Sequence, residues 1–233
     1  EIATEGALTK SELRAELERL RSIGLNPIPK YNFSCRHNAW MGEWAYMVGT
    51  RAYYDFCKDI IEETIELFDT PEEIPTAEHA INVCRSPEKK MEDALYLFDI
   101  CNSQGVKPWV WLDVDGYGGW DHLSEKIPKN VIISTWYYGA IHDKASLSDP
   151  QIPKEALYNI ELQKRGFTQI PTVSTFDWHC NAKDTMNFCK KHVPEGSVIG
   201  FMTAPWLLTT ESRLYGLYND AYTFYHARKD ILE

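Results

Sequence analysis

The chain has 233 residues, 44% of them hydrophobic, which is enough to bury the core of one α/β domain, and we predict a single domain over residues 1–233. Its 34 acidic and 24 basic residues give a formal net charge of −10, which argues against a nucleic-acid or anionic-membrane partner because phosphate contacts need a positive surface. No apolar stretch is long enough to cross a bilayer, and a neutral ligand fits this charge better.

The six cysteines predict neither a disulfide framework nor a metal site. They form no CxxC pair and lie in a chain large enough to fold without crosslinks, so we expect mostly buried free thiols. Two Cys/His neighbours, Cys35 with His37 and His179 with Cys180, lack the ligand spacing of a zinc site. We therefore predict no metal and no cofactor.

Three copies of one phrase, a helical run followed by a glycine and an apolar strand, predict the fold class. The glycines are Gly24, Gly105 and Gly166, and each stands where a helix should end because glycine adopts positive φ readily. The strands that follow are apolar for most of their length, as expected for strands buried on both faces of a parallel sheet. The pattern indicates an α/β fold whose chemistry lies at the carboxyl ends of the strands.

In the first half of the chain, the pattern predicts a helix from the N-cap Ser11 to residue 23, a strand over 27–33, and a helix over about 51–68. Residues 70–85 supply no credible strand between two helices. A parallel-sheet fold should have a strand there, because parallel strands are joined through helices.

The second half of the chain alternates regularly between helices and strands. The predicted helices cover residues 87–103, 119–126, 154–164, 182–192 and 210–230, and the predicted strands cover 109–114, 131–136, 170–175 and 198–202. We expect the last helix to bury a stripe that includes Leu214, Leu217, Tyr218 and Tyr225. Five strands are visible along the whole chain. A closed barrel needs eight, so several strands are expected to be missing.

Aromatic and polar side chains cluster where the predicted strands end. Such a mixture suits a sugar, since the C–H face of the ring stacks on an indole while the hydroxyls take hydrogen bonds. The predicted substrate-binding residues are His37, Asn38, Trp111, Asp115, Trp136, Tyr137, Trp178 and Trp206. For each tryptophan the alternative of a core role stays open, because tryptophan is highly buried on average.

Asp113 and Asp115 are candidate carboxylates at the end of one predicted strand. Their i, i+2 spacing would place both side chains on the same face of that strand, where they could act as a pair. Asp115 followed by Gly116 is equally typical of a turn. Both interpretations stay open, and we place Asp113 among the catalytic candidates.

Four phrases of the sequence together resemble one family: KYNFSCRHNAWMGEW from Lys30, KPWVWLDVD from Lys107, ISTWYYGA from Ile133 and GFMTAPW from Gly200. The family is that of bacterial proteins described as family 20 glycoside hydrolase-like, or β-N-acetylhexosaminidase-like, TIM-barrel proteins, many of which lack an assigned substrate. The similarity runs over nearly the whole chain. It implies a (β/α)8 barrel whose middle and C-terminal portion this chain supplies, with the first strands upstream of Glu1.

The resemblance also implies where the catalytic acids should lie. Relatives have, after a segment like LFDTP, a strand that ends in an acidic run, whereas here Pro71 runs straight into Glu72 and Glu73. In hexosaminidases proper an adjacent Asp-Glu pair on that strand acts by a substrate-assisted route, outside the usual scheme of two catalytic carboxylates. We therefore expect one central strand to be missing as well, and take Glu72 and Glu73, together with Asp113, as the catalytic candidates.

The predicted function is that of a carbohydrate-active protein, a glycoside hydrolase acting on a glycan at the carboxyl face of the barrel. One alternative is a non-catalytic glycan-binding or scaffold barrel that has lost its acid strand, and another is an isomerase or lyase, because a barrel does not fix its reaction. An incomplete barrel exposes sheet edges, so we expect an oligomer or further segments to cover them. The compartment stays open between the cytoplasm and the exterior of a bacterial cell, since the chain begins at Glu1 without a methionine.

Overall fold

The computed structural model describes residues 5–33, 39–69, 73–75, 85–120, 123, 125–142 and 147–232, with the backbone alone for residues 39, 73–75 and 116. The chain divides into two compact units, an N-terminal unit (Glu1–Val131) and a C-terminal unit (Ile132–Glu233). Both units combine helices with short parallel strands, so the predicted α/β class is confirmed. The single barrel domain over 1–233 stays a prediction.

The described part of the N-terminal unit is built from α1 (Lys10–Ser22), α2 (Arg51–Leu67), β1 (Glu73–Pro75), α3 (Pro87–Ser103) and β2 (Lys107–Trp111), with short 3-10 helices at Ala39–Tyr46 and Asp115–Tyr117. The two strands run parallel, with Glu73 opposite Lys107 and Pro75 opposite Trp109. A buried apolar cluster joins α2 to α3 and includes Tyr53, Cys57, Ile61, Leu97 and Cys101. The apolar spacing of α2 therefore faces the core as the sequence indicates.

Two local predictions for this unit are wrong. The N-cap of α1 is Thr9 rather than Ser11, because Thr9 and Glu12 form a capping box in which each side chain accepts a hydrogen bond from the other's backbone amide. Residues 25–33, all described, contain an isolated bridge at Tyr31 in place of the predicted strand. Pro27 and Pro29 explain the difference, since proline has no amide hydrogen to give to a strand ladder.

A third correction bears on function. The central strand that was expected to be missing is present as β1, which pairs in parallel with β2 and lies between α2 and α3. This strand is only three residues long and ends at Pro75, so it shows neither the length nor the apolar run by which strands are recognised. Glu73 is its first residue.

The C-terminal unit alternates strands and helices: β3 (Ile132–Ser134), α4 (Lys154–Lys164), β4 (Thr172–Val173), α5 (Asn181–His192), β5 (Met202–Thr203), a 3-10 helix at Glu211–Arg213 and α6 (Leu214–Leu232). β4 pairs in parallel with β5, and isolated parallel bridges, including Trp136 with Thr172, join the β3 segment to β4. β4 begins after residue 171 rather than at the predicted residue 170, since Pro171 lacks an amide hydrogen to donate.

Helix α6 turns a different face to the core from the one predicted. Asp220 and Ala227 are buried and Leu217 is half-buried, whereas Leu214, Tyr218 and Tyr225 are exposed. The helical period was right, but of the predicted stripe Leu217 alone lies on the face that packs. Ala227 packs in one cluster with Ala182 of α5, where small side chains let two helices approach closely. The exposed tyrosines keep their hydroxyls in water.

Candidate functional site

Each strand of the C-terminal unit leads into a loop that carries aromatic side chains. β3 is followed by Trp136, Tyr137 and Tyr138, β4 by Trp178, and β5 by Trp206. Because these strands run parallel, their carboxyl ends lie at the same edge of the sheet. The four candidates that the sequence placed in this half of the chain therefore share one edge.

The side chain of Asn181, the first residue of α5, joins the loop after β3 to the end of β4. Asn181 is fully buried. Its Oδ1 accepts a hydrogen bond from the Ser174 amide at 3.0 Å, and its Nδ2 donates to the carbonyl oxygens of Tyr137 and Gly139, each at 2.8 Å. Gly139 leaves room for the Tyr137 ring, since a Cβ there would lie 2.6 Å from the Tyr137 hydroxyl and the ring would have to shift. One amide side chain thus fixes two of the loops together.

The side chain of Asp220 in α6 joins the ends of β4 and β5 and is 2% exposed. Its Oδ1 accepts hydrogen bonds from the Thr175 amide at 3.3 Å and the Thr175 hydroxyl at 2.8 Å. Its Oδ2 accepts one from the Thr203 hydroxyl at 2.6 Å. Donors of this kind compensate the desolvation of a buried carboxylate. The second and third loops are thereby held to the same side chain.

Trp206 has a strained backbone conformation. Its φ angle is +52°, in the left-handed region, which is unfavourable for a bulky residue by about 1–3 kcal/mol. The ring is 39% exposed. It meets the Tyr138 ring edge to face, with centroids 6.2 Å apart. Strained residues persist where their surroundings hold them and cluster at ligand sites, so Trp206 marks this edge as a candidate site.

The indole of Trp178 is oriented by a hydrogen bond and borders a groove. Its Nε1 donates to Asp184 Oδ2 at 2.9 Å, and its ring centroid lies 4.9 Å from that of His179. The groove measures about 650 Å³ and is also lined by Ile141 and Asn187. Trp178 is half-buried, so one part of the ring packs while another faces solvent.

The candidates of the N-terminal unit surround the end of β2. Trp111 is 4% exposed, and the Lys30 ammonium lies 4.8 Å from its ring centroid, which is a cation–π contact. Asp113 is half-buried, and Asp115 is exposed. Since β2 ends at Trp111 and Asp115 opens a 3-10 turn, the two carboxylates do not share a strand face. The turn interpretation of Asp115 is the one that the structure supports.

The strand register separates Glu73 from Asp113. Glu73 lies opposite Lys107, the first residue of β2, and so about 13 Å along the strand from the level of Trp111. Glu73 is thus at the amino end of β1, whereas Asp113 follows the carboxyl end of β2. Glu72, His37 and Asn38 lie outside the described residues.

Asn181 and Asp220 were not among the site residues predicted from the sequence. One signal for Asp220 was present, since it is an acid whose neighbours on the same helical face, Phe224 and Ala227, are apolar. An acid in that position needs buried donors. Asn181 gave no comparable signal, because asparagine near the start of a helix is common.

Within the described ranges, no helix is long and apolar enough to span a bilayer. In the same part of the chain, no three His, Cys, Asp or Glu side chains come together as a metal site would require.

The fold defines the class of protein that this chain resembles, which is the family 20 glycoside hydrolases. The exo-β-N-acetylglucosaminidase of Vibrio harveyi, solved with N-acetylglucosamine, aligns over 94% of this chain with a TM-score of 0.65 and 15% identity. The β-N-acetylhexosaminidase of Streptomyces coelicolor A3(2) aligns over 84% with a TM-score of 0.59 and 14% identity. A catalytic module of a pneumococcal exo-β-D-N-acetylglucosaminidase aligns over 97% with a TM-score of 0.60 and 16% identity.

The resemblance carried by the four sequence phrases is therefore confirmed at the level of the fold. The chain spans 41% of the Vibrio protein, 44% of the Streptomyces protein and 65% of the pneumococcal chain. No family model matches the sequence, and no curated protein matches it either.

Proposed function

We propose that this chain is a glycoside hydrolase-like, carbohydrate-active protein that binds a glycan at the carboxyl ends of β3, β4 and β5. The observation that carries the proposal is the linkage of three aromatic loops by two buried polar side chains, Asn181 and Asp220. Aromatic rings in fixed positions, with a few oriented polar groups between them, suit a sugar ring.

The chemistry of the loops fits an uncharged, amphipathic ligand. The exposed parts of the Trp178 and Trp206 rings offer apolar faces for the C–H side of a sugar. The Tyr137 hydroxyl is protonated at neutral pH, as tyrosine ordinarily is, and burial raises its pKa further, so it can donate a hydrogen bond. The net charge of −10 also suits a neutral sugar. Because the Vibrio relative holds N-acetylglucosamine, N-acetylated sugars are the first ligands to test.

A calorimetric titration with methyl N-acetyl-β-D-glucosaminide and with N,N′-diacetylchitobiose tests this proposal. We expect measurable binding, and Trp178→Ala and Trp206→Ala each weaken it by about tenfold or more, since truncation of a tryptophan anchor at a binding site costs about 2 kcal/mol. Tyr215→Ala is the matched control, because Tyr215 is an 83% exposed aromatic residue of α6 outside the three loops. Absence of binding to both sugars would overturn the proposal.

Hydrolysis is a second candidate function, favoured by the likeness of the fold to hydrolases and by the half-buried Asp113. Release of nitrophenol from 4-nitrophenyl N-acetyl-β-D-glucosaminide measures it. If Asp113 is an acid group, Asp113→Asn lowers kcat by about 100-fold or more, whereas Asp115→Asn leaves it unchanged. Glu72→Gln and Glu73→Gln test the two glutamates in the same assay. No turnover by the wild-type chain would overturn hydrolysis and leave a glycan-binding protein without chemistry.

A further inference from the structure

We propose that Asn181 and Asp220 are positioning residues that set the sugar affinity by holding the three aromatic loops in register. This inference rests on the proposed glycan binding at those loops. Neither side chain belongs to a loop: Asn181 is in α5 and Asp220 is in α6. Both are buried, so they act through the backbone and hydroxyls that they bind.

Asn181 acts on the first two loops. The two bonds from its Nδ2 end on Tyr137 and Gly139, on either side of Tyr138, so they fix the loop segment that carries both tyrosines. The bond that its Oδ1 accepts from Ser174 attaches the same amide group to the chain just beyond β4. The three hydrogen bonds leave the planar Asn181 amide a single orientation. The distance between the two loops is therefore fixed by this side chain.

Asp220 acts on the second and third loops. Thr203 is the last residue of β5, three positions before Trp206, and its hydroxyl donates to Oδ2. Ala204 next to it is tied to β4 by its amide, which donates to the Val173 carbonyl at 2.9 Å. Few residues separate these hydrogen bonds from Trp206, so the surrounding structure can hold its strained φ angle. The carboxylate therefore supports the conformation that presents the indole.

The bonds that hold the three loops join residues of the C-terminal unit to one another. Sugar affinity should therefore respond to Asn181 and Asp220 and be insensitive to a buried acid of the N-terminal unit outside the candidate site, such as Asp93. The preorganisation of the loops is then measurable as a difference in affinity.

The test measures the dissociation constant for methyl N-acetyl-β-D-glucosaminide, the iodide quenching of tryptophan fluorescence and the melting temperature for each variant. Asn181→Ala and Asp220→Ala should each bind about tenfold more weakly than wild type and show altered quenching. Thr203→Val removes one donor at constant volume and should weaken binding by a smaller factor. Asp220→Asn should restore affinity to within about threefold of wild type, because its Oδ1 still accepts from Thr175.

Gln169→Leu is the control that separates positioning from general stability. Gln169 is also fully buried, and its amide nitrogen donates to the Asn159 carbonyl and the Ser197 hydroxyl, but it precedes β4 at the amino ends of the strands. We expect this variant to lose melting temperature without losing sugar affinity.

The possible outcomes distinguish the inference from the proposed function. If the wild-type chain binds no sugar, the proposed function fails. If it binds, and Asn181→Ala and Asp220→Ala bind as tightly as Gln169→Leu, the positioning inference is overturned while the function stands. Should the alanine variants not fold, Thr203→Val and Asp220→Asn test the inference instead. Unchanged affinity in Thr203→Val would overturn it. A loss of affinity in Thr203→Val, together with affinity within about threefold of wild type in Asp220→Asn, would support it.

Discussion

The two units use their buried polar side chains in different ways. In the N-terminal unit, Asp93 of α3 accepts hydrogen bonds from Tyr54 of α2 and from Arg85, whose Nη2 lies 2.8 Å away. This cluster joins one helix to another, and Arg85 Nη1 also donates a hydrogen bond to the carbonyl oxygen of Val48, before α2, at 3.4 Å. In the C-terminal unit, Asn181 and Asp220 join helices to the ends of strands. Both arrangements compensate buried polar groups with hydrogen bonds, and the second one holds three strand-end loops, one of which bears the 39% exposed Trp206.

From that difference we expect the C-terminal unit to be the one that binds the sugar. Around β2, Trp111 is covered by Lys30, and the register keeps Glu73 away from the level of Asp113. Around β3, β4 and β5, the aromatic loops are tied together and Trp206 is strained. A unit whose polar core supports its helices should lose stability when that core is broken. A unit whose polar core supports its loops should lose binding.

The largest effect is expected for Arg85→Met in the N-terminal unit. The substitution leaves the Asp93 carboxylate buried without its ionic partner, and breaking a buried pair in this way costs about 3–5 kcal/mol. Urea denaturation should show the free energy of unfolding reduced by that amount, with sugar affinity of the folded protein unchanged. Arg51→Met is the matched control, because its partner Asp55 and Arg51 itself are largely exposed. A loss no greater than in the control would contradict a structural role for the Arg85–Asp93 pair.

A smaller change in stability but a large change in binding is expected for Trp206→Gly in the C-terminal unit. Glycine relieves the strain at φ +52°, which offsets the lost packing of the indole on Tyr138, so stability should stay within about 1 kcal/mol of wild type. Sugar affinity should fall by at least about tenfold, as for any loss of a stacked ring. Equal affinity in the glycine variant would remove Trp206 from the proposed platform.

The same contrast explains how far the sequence could predict the structure. Helices α3 and α4 were predicted to the residue, because their signals are local: Ser86 and Pro87 begin α3, and Gly105 follows its end. The ties of the candidate site are long-range, since Asp220 lies 45 residues from Thr175. A local sequence pattern does not predict a contact between residues so far apart in the chain. The aromatic candidates could therefore be proposed from the sequence, whereas the side chains that tie their loops together could not.

A pH titration compares one half-buried tyrosine from each unit, Tyr54 and Tyr138. Burial raises the pKa of Tyr138, and burial together with the neighbouring Asp93 raises that of Tyr54. The folded state then holds these protons more tightly than the unfolded chain, so their contribution to stability is complete below pH 10 and is lost as the pH rises above about 10. Urea denaturation at pH 8 and pH 10.5 measures the loss. Tyr138→Phe should reduce this alkaline loss, and an unchanged pH dependence would contradict the assignment.

The reactivity of native buried thiols measures the unfolding of each unit separately, and it requires no substitution in either unit. Burial raises the pKa of Cys101 in the N-terminal unit and Cys189 in the C-terminal unit to about 12, so both should resist alkylation at pH 8 in the folded protein. Labelling across a urea series, read by peptide mass spectrometry, gives the concentration at which each thiol becomes reactive. Cys57 shares one core cluster with Cys101, so these two should react at a common midpoint.

The decisive version of this experiment repeats the labelling in Arg85→Met. If the polar core of the N-terminal unit supports that unit alone, the midpoint of Cys101 moves to lower urea while that of Cys189 stays where it was, because Cys189 packs with Phe188 and Ile160 in a different cluster. Equal shifts of both midpoints would mean that the chain unfolds as one cooperative body. Loss of a buried charge pair in one unit would then destabilise the other unit as well, and the stability of the chain could no longer be divided between the two units.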